Sequence, residues 1–158
     1  MTRRRTTYHH GDLPRALRAA ASRLVAEHGP EGFTLREAAR DVGVSHAAAY
    51  RHFADKRALL AAVCEDGYHA LAATLRAANR RHPSDDAATR IRRLGAVFVR
   101  FALDDPPRFH LMFGPRLNLD GRFPALDAAT DETLAAVVAV ICSTITFTGQ
   151  RVMAAIAS

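Results

Sequence analysis

The 158-residue chain has no tryptophan, two cysteines and one lysine, Lys56; arginine carries almost all the rest of its positive charge. Cys64 and Cys142 stand far apart, each within an apolar stretch. That excludes a disulfide framework and a zinc-ligand pattern, and leaves buried thiols in a reducing compartment as the expectation. Long hydrophobic runs are missing as well. The basic opening MTRRRTTYHHGD has no apolar segment behind it, unlike a signal peptide, and the uncharged stretch 133–150 is too rich in Thr, Ser and Gly for a membrane span. A cytoplasmic protein is expected. There are eight histidines but no His-Glu-x-x-His and no Cys/His clustering, and no nucleophile elbow, phosphate loop or dinucleotide fingerprint. No catalysis, cofactor or metal is therefore expected. Repeats and low-complexity segments are absent, and strand-forming runs are rare before the last twenty or so residues.

What is present is alanine, which favours helices, and an uneven distribution of charge. Residues 1–57 hold 11 basic and 6 acidic side chains, a net +5, whereas residues 58–158 hold 11 and 10, a net +1. A basic module joined to a near-neutral one suggests that the first faces a polyanion; a well-solvated surface is the plainer alternative.

Helix signals divide the chain. Residues 1–11 read as a basic arm, including Arg3-Arg4-Arg5, that is either solvated or in reach of a groove. Asp12 is placed to cap a first helix with Leu13, Leu17, Ala20, Leu24 and Val25 at helical spacing, ended by Gly29-Pro30. Thr34-Leu35-Arg36-Glu37 is a capping box that starts a second short helix, broken at Gly43. Ser45 caps a third from His46 to about Phe53, so two short helices meet at a tight Gly turn. Asp55 caps a long fourth helix ending between Asn79 and Pro83. A fifth is expected from Ser84-Asp85, a short sixth after Asp105-Pro106-Pro107, and a seventh from near Ala125.

The segments Gly32-Phe33-Thr34-Leu35-Arg36-Glu37-Ala38-Ala39 and Gly43-Val44-Ser45-His46-Ala47-Ala48-Ala49-Tyr50-Arg51-His52-Phe53, with Lys56 and Leu59-Leu60, resemble the TetR family of transcriptional regulators. The match is close over residues 8–62 and weaker beyond about residue 80. It implies an all-α protein: a three-helix helix-turn-helix DNA-binding domain (residues 1–55), then a helical effector and dimerisation domain (residues 56–158) joined through the fourth helix. The resemblance places Ser45, His46, Ala47 and Ala48 towards bases or adjacent backbone, and Ala49 and Phe53 in the core. It gives Tyr50, His52 and Lys56 to phosphates, with Arg36 and Arg51 as further contacts and Thr34 both capping and touching phosphate. Physical reasoning agrees: Ala47 and Ala48 are small enough for close backbone approach, and an alanine methyl suits a thymine methyl. The plainer alternatives are a core role for Tyr50 and exposed, idle His46 and His52.

The family's later helices hold an effector pocket, for which Phe98, Phe101, Phe109, Met112 and Phe113 are candidates, with Arg100 or His110 as polar anchors; at helical spacing they also fit plain core. The expected function is an operator-binding repressor, homodimeric on an inverted repeat, released by an unidentified small-molecule effector. Family members continue through two further long helices, whereas this chain stops at Ser158, and Val138 to Thr148 is rich in β-branched residues that suit strand better than helix. A shortened or altered C-terminus is the expectation. Val137, Val138, Val140, Ile141, Ile145, Phe147, Val152, Met153 and Ile156 must then be buried, against the fifth and sixth helices or a second copy. The competing classes are a helical protein-interaction module, which would need apolar residues on the third helix's exposed face, and a histidine-dependent metal enzyme.

Overall fold

Seven helices form in the order α1 Leu13–His28, α2 Leu35–Val42, α3 His46–Tyr50, α4 Lys56–Arg81, α5 Ala87–Asp104, α6 Pro106–Phe113 and α7 Pro124–Ile156. The computed structural model describes residues 12–81, 85–114 and 117–156, with side chains described as far as Cys142 apart from Ala87 and Val140. Among these residues every regular element is α-helix. The arm Arg3-Arg4-Arg5, Ser84 and the side chains of Ile145, Phe147, Val152, Met153 and Ile156 lie outside the described residues.

Local signals explain most helix ends. Thr34 and Glu37 complete the capping box, the Ser45 hydroxyl accepts from the Ala48 amide, Asp55 accepts from Ala58 and Asp105 accepts from Arg108. Gly43, at φ 78°, closes α2: its amide donates to Arg40 and that of Val44 to Ala39, the paired bonds of a left-handed helix end. Two expected caps move. Asp12 makes no side-chain capping bond and instead faces Arg15 at 3.6 Å, while α5 is capped by Asp86, which accepts from Thr89 at 2.9 Å. The expected strand-like stretch from Val138 to Thr148 lies inside α7. β-branched residues disfavour a helix by only a few tenths of a kcal/mol each, too little to stop a helix already established from Pro124 onwards. Thr130 and Thr133 also turn their hydroxyls back onto the Leu126 and Ala129 carbonyls, keeping them satisfied within the helix.

The core is organised around α4, which packs on α1, α5, α6 and α7. Leu59, Leu71 and Leu75 are fully buried, and so are Leu17 of α1 and Leu111 of α6. Two buried hydroxyls in the core are satisfied: that of Tyr68 donates to the Met112 carbonyl at 2.7 Å, and that of Thr133 in α7 donates to the Tyr68 carbonyl at 2.9 Å. Gly67 lets α6 approach, since a Cβ there would meet the Met112 sulfur at 2.5 Å. α7 turns Leu126, Ala129, Thr133 and Ala136 inward. Cys64 is buried as expected, which pushes its thiol up to about 12, but Cys142 is exposed because it sits on the outer face of α7.

Several carboxylates crosslink the helices. Hydrogen bonds from Arg57 hold Asp120 below the usual range, and Arg76, then His69, do the same for Glu132. At Asp55 partial burial pushes upward, but the Ala58 amide and Arg122 outweigh it. Lowered folded values mean that these groups contribute stability at neutral pH and lose it as pH falls through those values. The urea midpoint should hold near neutrality and decline between about pH 5 and about pH 2, with a smaller decline in Asp120→Asn/Glu132→Gln. An equal acid decline in that variant would count against these pairs.

Candidate nucleic-acid interface

The interface is built by α2, the turn at Gly43 and Val44, and α3. α3 spans five residues, ending at Tyr50 rather than near Phe53. The chain nevertheless keeps turning, with the Phe53 amide donating to the Ala49 carbonyl at 3.0 Å, because Ala49 and Phe53 are buried and hold it down. This leaves one face outward: Ser45, His46, Ala47, Tyr50, Arg51 and His52 are exposed. Tyr50 is 46% exposed, which removes the core reading for it. Ala48 is half-buried and packs against the core, so it offers bases less surface than Ala47.

Thr34 and Arg36 are exposed at the start of α2. Thr34 is already engaged: its amide and hydroxyl both donate to the Glu37 carboxylate, at 2.7 and 2.9 Å, and these bonds hold the Glu37 carboxyl below its usual range. Lys56 stands at the N-terminus of α4 and is half-buried, its ammonium 3.2 Å from Glu31 and 5.7 Å from the centre of the Phe33 ring. Glu31 was not legible as a partner, since it lies in a turn 25 positions from Lys56 and no periodicity links the two. An exposed face of small and polar side chains, with a cation beside a helix start, suits a phosphate-lined groove. It does not suit apolar protein contact.

Among the described residues, the five candidate effector-pocket residues are divided between two cavities and an aromatic cluster. Phe98 packs edge-on to both Phe109 and Phe113, which are tilted against each other at 4.6 Å, and Phe113 is also edge-on to Tyr68 at 5.5 Å. Phe98 is partly exposed, since α5 turns Leu94, Val97 and Phe101 towards the core instead, and Phe113 is partly exposed at the end of α6. Phe101 lines an open groove of about 330 Å3 with Thr74, Val97 and Arg100. Met112 and Phe113 line a smaller cavity of about 160 Å3 with Cys64, Tyr68, Leu117 and Asn118. Among the described residues no group of His, Cys, Asp and Glu could hold a metal ion, and no helix is long and apolar enough to cross a membrane.

A short capped helix following another at a glycine turn, with its outer face clear, defines a helix-turn-helix DNA-binding protein. Residues 17–63 match the bacterial regulatory proteins of the tetR family. HTH-type transcriptional regulator Rv1816 of Mycobacterium tuberculosis (strain ATCC 25618 / H37Rv) is 28% identical over 92 residues, covering 58% of this chain and 39% of the relative. This chain thus spans well under half the length of that relative. A solved structure of a protein with unknown function from Rhodococcus sp. RHA1 is 33% identical, with a TM-score of 0.76 over 89% of this chain and 72% of that one. A bacterial regulatory protein in the tetR family from Rhodococcus RHA1, 24% identical with a TM-score of 0.66 over 86% of this chain and 70% of that one, has the same fold. The chain belongs to the TetR family. That family and the named mycobacterial relative are transcriptional regulators, not enzymes.

The caps that set the interface give a stability test. Thr34→Ala and Ser45→Ala should each lower the urea-unfolding free energy by about 0.5–2 kcal/mol, with Thr34→Ser close to the parent. A neutral Thr34→Ala would show that the box does not hold α2.

Proposed function

We propose that the protein is a transcriptional repressor that binds an inverted-repeat operator as a homodimer and lets go when a small-molecule effector occupies its helical body. The observation that carries the DNA reading is the outward face of α3, with Ser45, His46, Ala47, Tyr50, Arg51 and His52 clear of the core beside Lys56. On this reading His46 and Ala47 meet base edges, with Ser45 and Ala48 alongside. Thr34, Tyr50, His52 and Lys56 take phosphates, with Arg36 and Arg51 as supplementary contacts. Residues 1–55 act as the reading head and residues 56–158 as the regulatory body. The setting is the cytoplasm, where the operator is. The effector would occupy the cavity between α4, α6 and α7 that Met112 and Phe113 border, or the groove at Phe101; Phe98 and Phe109 support its wall through their ring contacts with Phe113.

Selection from random duplexes followed by titration tests the DNA reading. A dimer making about 4–8 charged phosphate contacts should show a log–log salt slope of roughly −4 to −7. Lys56→Ala should weaken all duplexes alike, changes at His46 should alter base preference by about 1–3 kcal/mol per base pair, and Ala47→Leu should block docking. Salt-indifferent affinity, or normal operator binding by Ala47→Leu, would reject the reading.

The dimer is supported by a stripe on α7. Leu134, Val138 and Ile141 are 60, 45 and 40% exposed and share one side of the helix, while Val137 packs against the core. An apolar row at that spacing suits an isologous contact, and one copy cannot offer two recognition helices about 34–36 Å apart. Sedimentation equilibrium at micromolar protein should find a dimer, and Val138→Glu should give a folded monomer. A monomeric parent chain would remove the dimer from the proposal.

A further inference from the structure

The corner between α3 and α4 is tied to the connection between α6 and α7 by crossed charges. Arg57 donates through Nη1 and Nη2 to the two carboxylate oxygens of Asp120, at 2.8 and 2.7 Å, and through Nε and Nη2 to the Leu117 carbonyl, at 2.7 and 2.5 Å. Two residues earlier, Asp55 caps α4 through one oxygen and meets Arg122 at 2.8 Å through the other. The guanidinium carbons of Arg57 and Arg122 lie 5.3 and 5.2 Å from the centre of the Phe123 ring. Asn118 fixes the backbone beneath that ring, accepting from the Phe123 amide at 2.6 Å and donating to its carbonyl at 3.0 Å. A base and an acid on one side thus meet an acid and a base on the other. Single exposed ion pairs contribute little, but a forked arginine within a network is the exception.

The place of this network matters more than its strength. α2 and α3 pack chiefly on α1 and on each other, not on α5, α6 or α7. The angle at which they meet the body therefore depends on α1 and on the corner at residues 53–57. The apolar core holds that corner in place but is non-directional. Planar, paired hydrogen bonds supply direction. Asp55 and Arg57 flank Lys56, so the network orients the residues on both sides of the proposed phosphate contact. Its own side chains face the α6–α7 connection rather than the outer face of α3.

We propose that Arg57–Asp120 and Asp55–Arg122 are positioning contacts that set the angle of the reading head on the helical body, and with it the half-site spacing the protein accepts. The spacing part rests on the DNA-binding dimer proposed above; the angle does not. Two heads must enter major grooves about one helical turn apart, so a tilt at this corner changes the separation of the recognition helices without changing what each one reads.

The test uses the full chain with Asp120→Asn/Arg122→Gln, and Arg57→Lys as a milder variant that keeps the charge and gives up the fork. Without DNA, nitroxide labels at Arg40→Cys and Leu103→Cys in a Cys142→Ser background, diluted with unlabelled protein, report the head-to-body distance distribution. It should be narrow in the parent, broad in both variants and narrow again in Asp120→Glu. With DNA, moving the half-sites apart by one base pair should cost the parent about tenfold in affinity and the variants no more than about threefold, with binding to an isolated half-site unchanged. Broadening in a protein that reads no DNA sequence would leave the positioning role standing and reject only the DNA reading. A distance distribution as narrow in the variants as in the parent, or an unaltered spacing profile, would overturn the proposal.

Discussion

One helix has to be buried along most of its length and still begin at the surface, beside the recognition helix. α4 meets this constraint with leucines at Leu59, Leu71 and Leu75 that no solvent reaches, and with half-buried Lys56 as its first residue. Burying each of those leucines contributes roughly 1.5–3 kcal/mol, so the helix is firmly seated in its sleeve of α1, α5, α6 and α7. α4 is therefore shared: its middle belongs to the core of the helical body, and its first residue, Lys56, stands beside the proposed interface.

Small residues make the sleeve tight. Ala16, Ala20 and Ala21 on α1, Ala38 and Ala39 on α2, and Ala129 and Ala136 on α7 are buried, and Gly67 leaves room for Met112. Alanine gives up no side-chain entropy on folding and allows close backbone approach, so a chain of modest size reaches a packed core with few large aromatic residues. The same property serves the outer surface. Ala47 is exposed on α3, where, on the proposed DNA reading, a larger side chain would hold the backbone away from a groove.

Local information was legible in the sequence and non-local information was not. Thr34 with Glu37, Ser45 and Asp105 announce their helices because a cap and its amide are three residues apart, and the turn at Gly43 needs only a left-handed residue. Where two neighbours compete, as Asp85 and Asp86 do for the start of α5, the pattern alone cannot choose: Asp86 caps, and Asp85 pairs with Arg93 instead. The β-branched stretch of α7 misled because propensity is weak against the continuation of a helix already formed, and the exposure of Cys142 depends on which side of α7 finds a partner. The outward row on α3 was legible, helped by the buried Ala49 and Phe53 that fix its phase. Glu31 with Lys56, and Arg57 with Asp120, were not, because their partners are 25 and 63 positions apart and no period joins them. The division of Phe98, Phe101, Phe109, Met112 and Phe113 among two described cavities and an aromatic cluster has the same origin: helical spacing identifies a face but not its depth.

Lys56 illustrates how a free protein can hold a binding cation ready. Its ammonium pairs with Glu31 at 3.2 Å, which at first sight competes with a phosphate. The two partners are unequally held, however: the Glu31 side chain is 92% exposed and that of Lys56 only 27%. An ion pair with so exposed a carboxylate contributes little and is readily exchanged. The ammonium also lies 5.7 Å from the centre of the Phe33 ring, a contact that does not depend on the carboxylate. Ordering a long flexible side chain upon binding costs about 0.5–1.5 kcal/mol, and here much of that ordering is already present in the fold. On the proposed DNA reading, Glu31 therefore acts as a weak placeholder, and the affinity gained at this position comes from a cation oriented in advance by the same packing that anchors the start of α4.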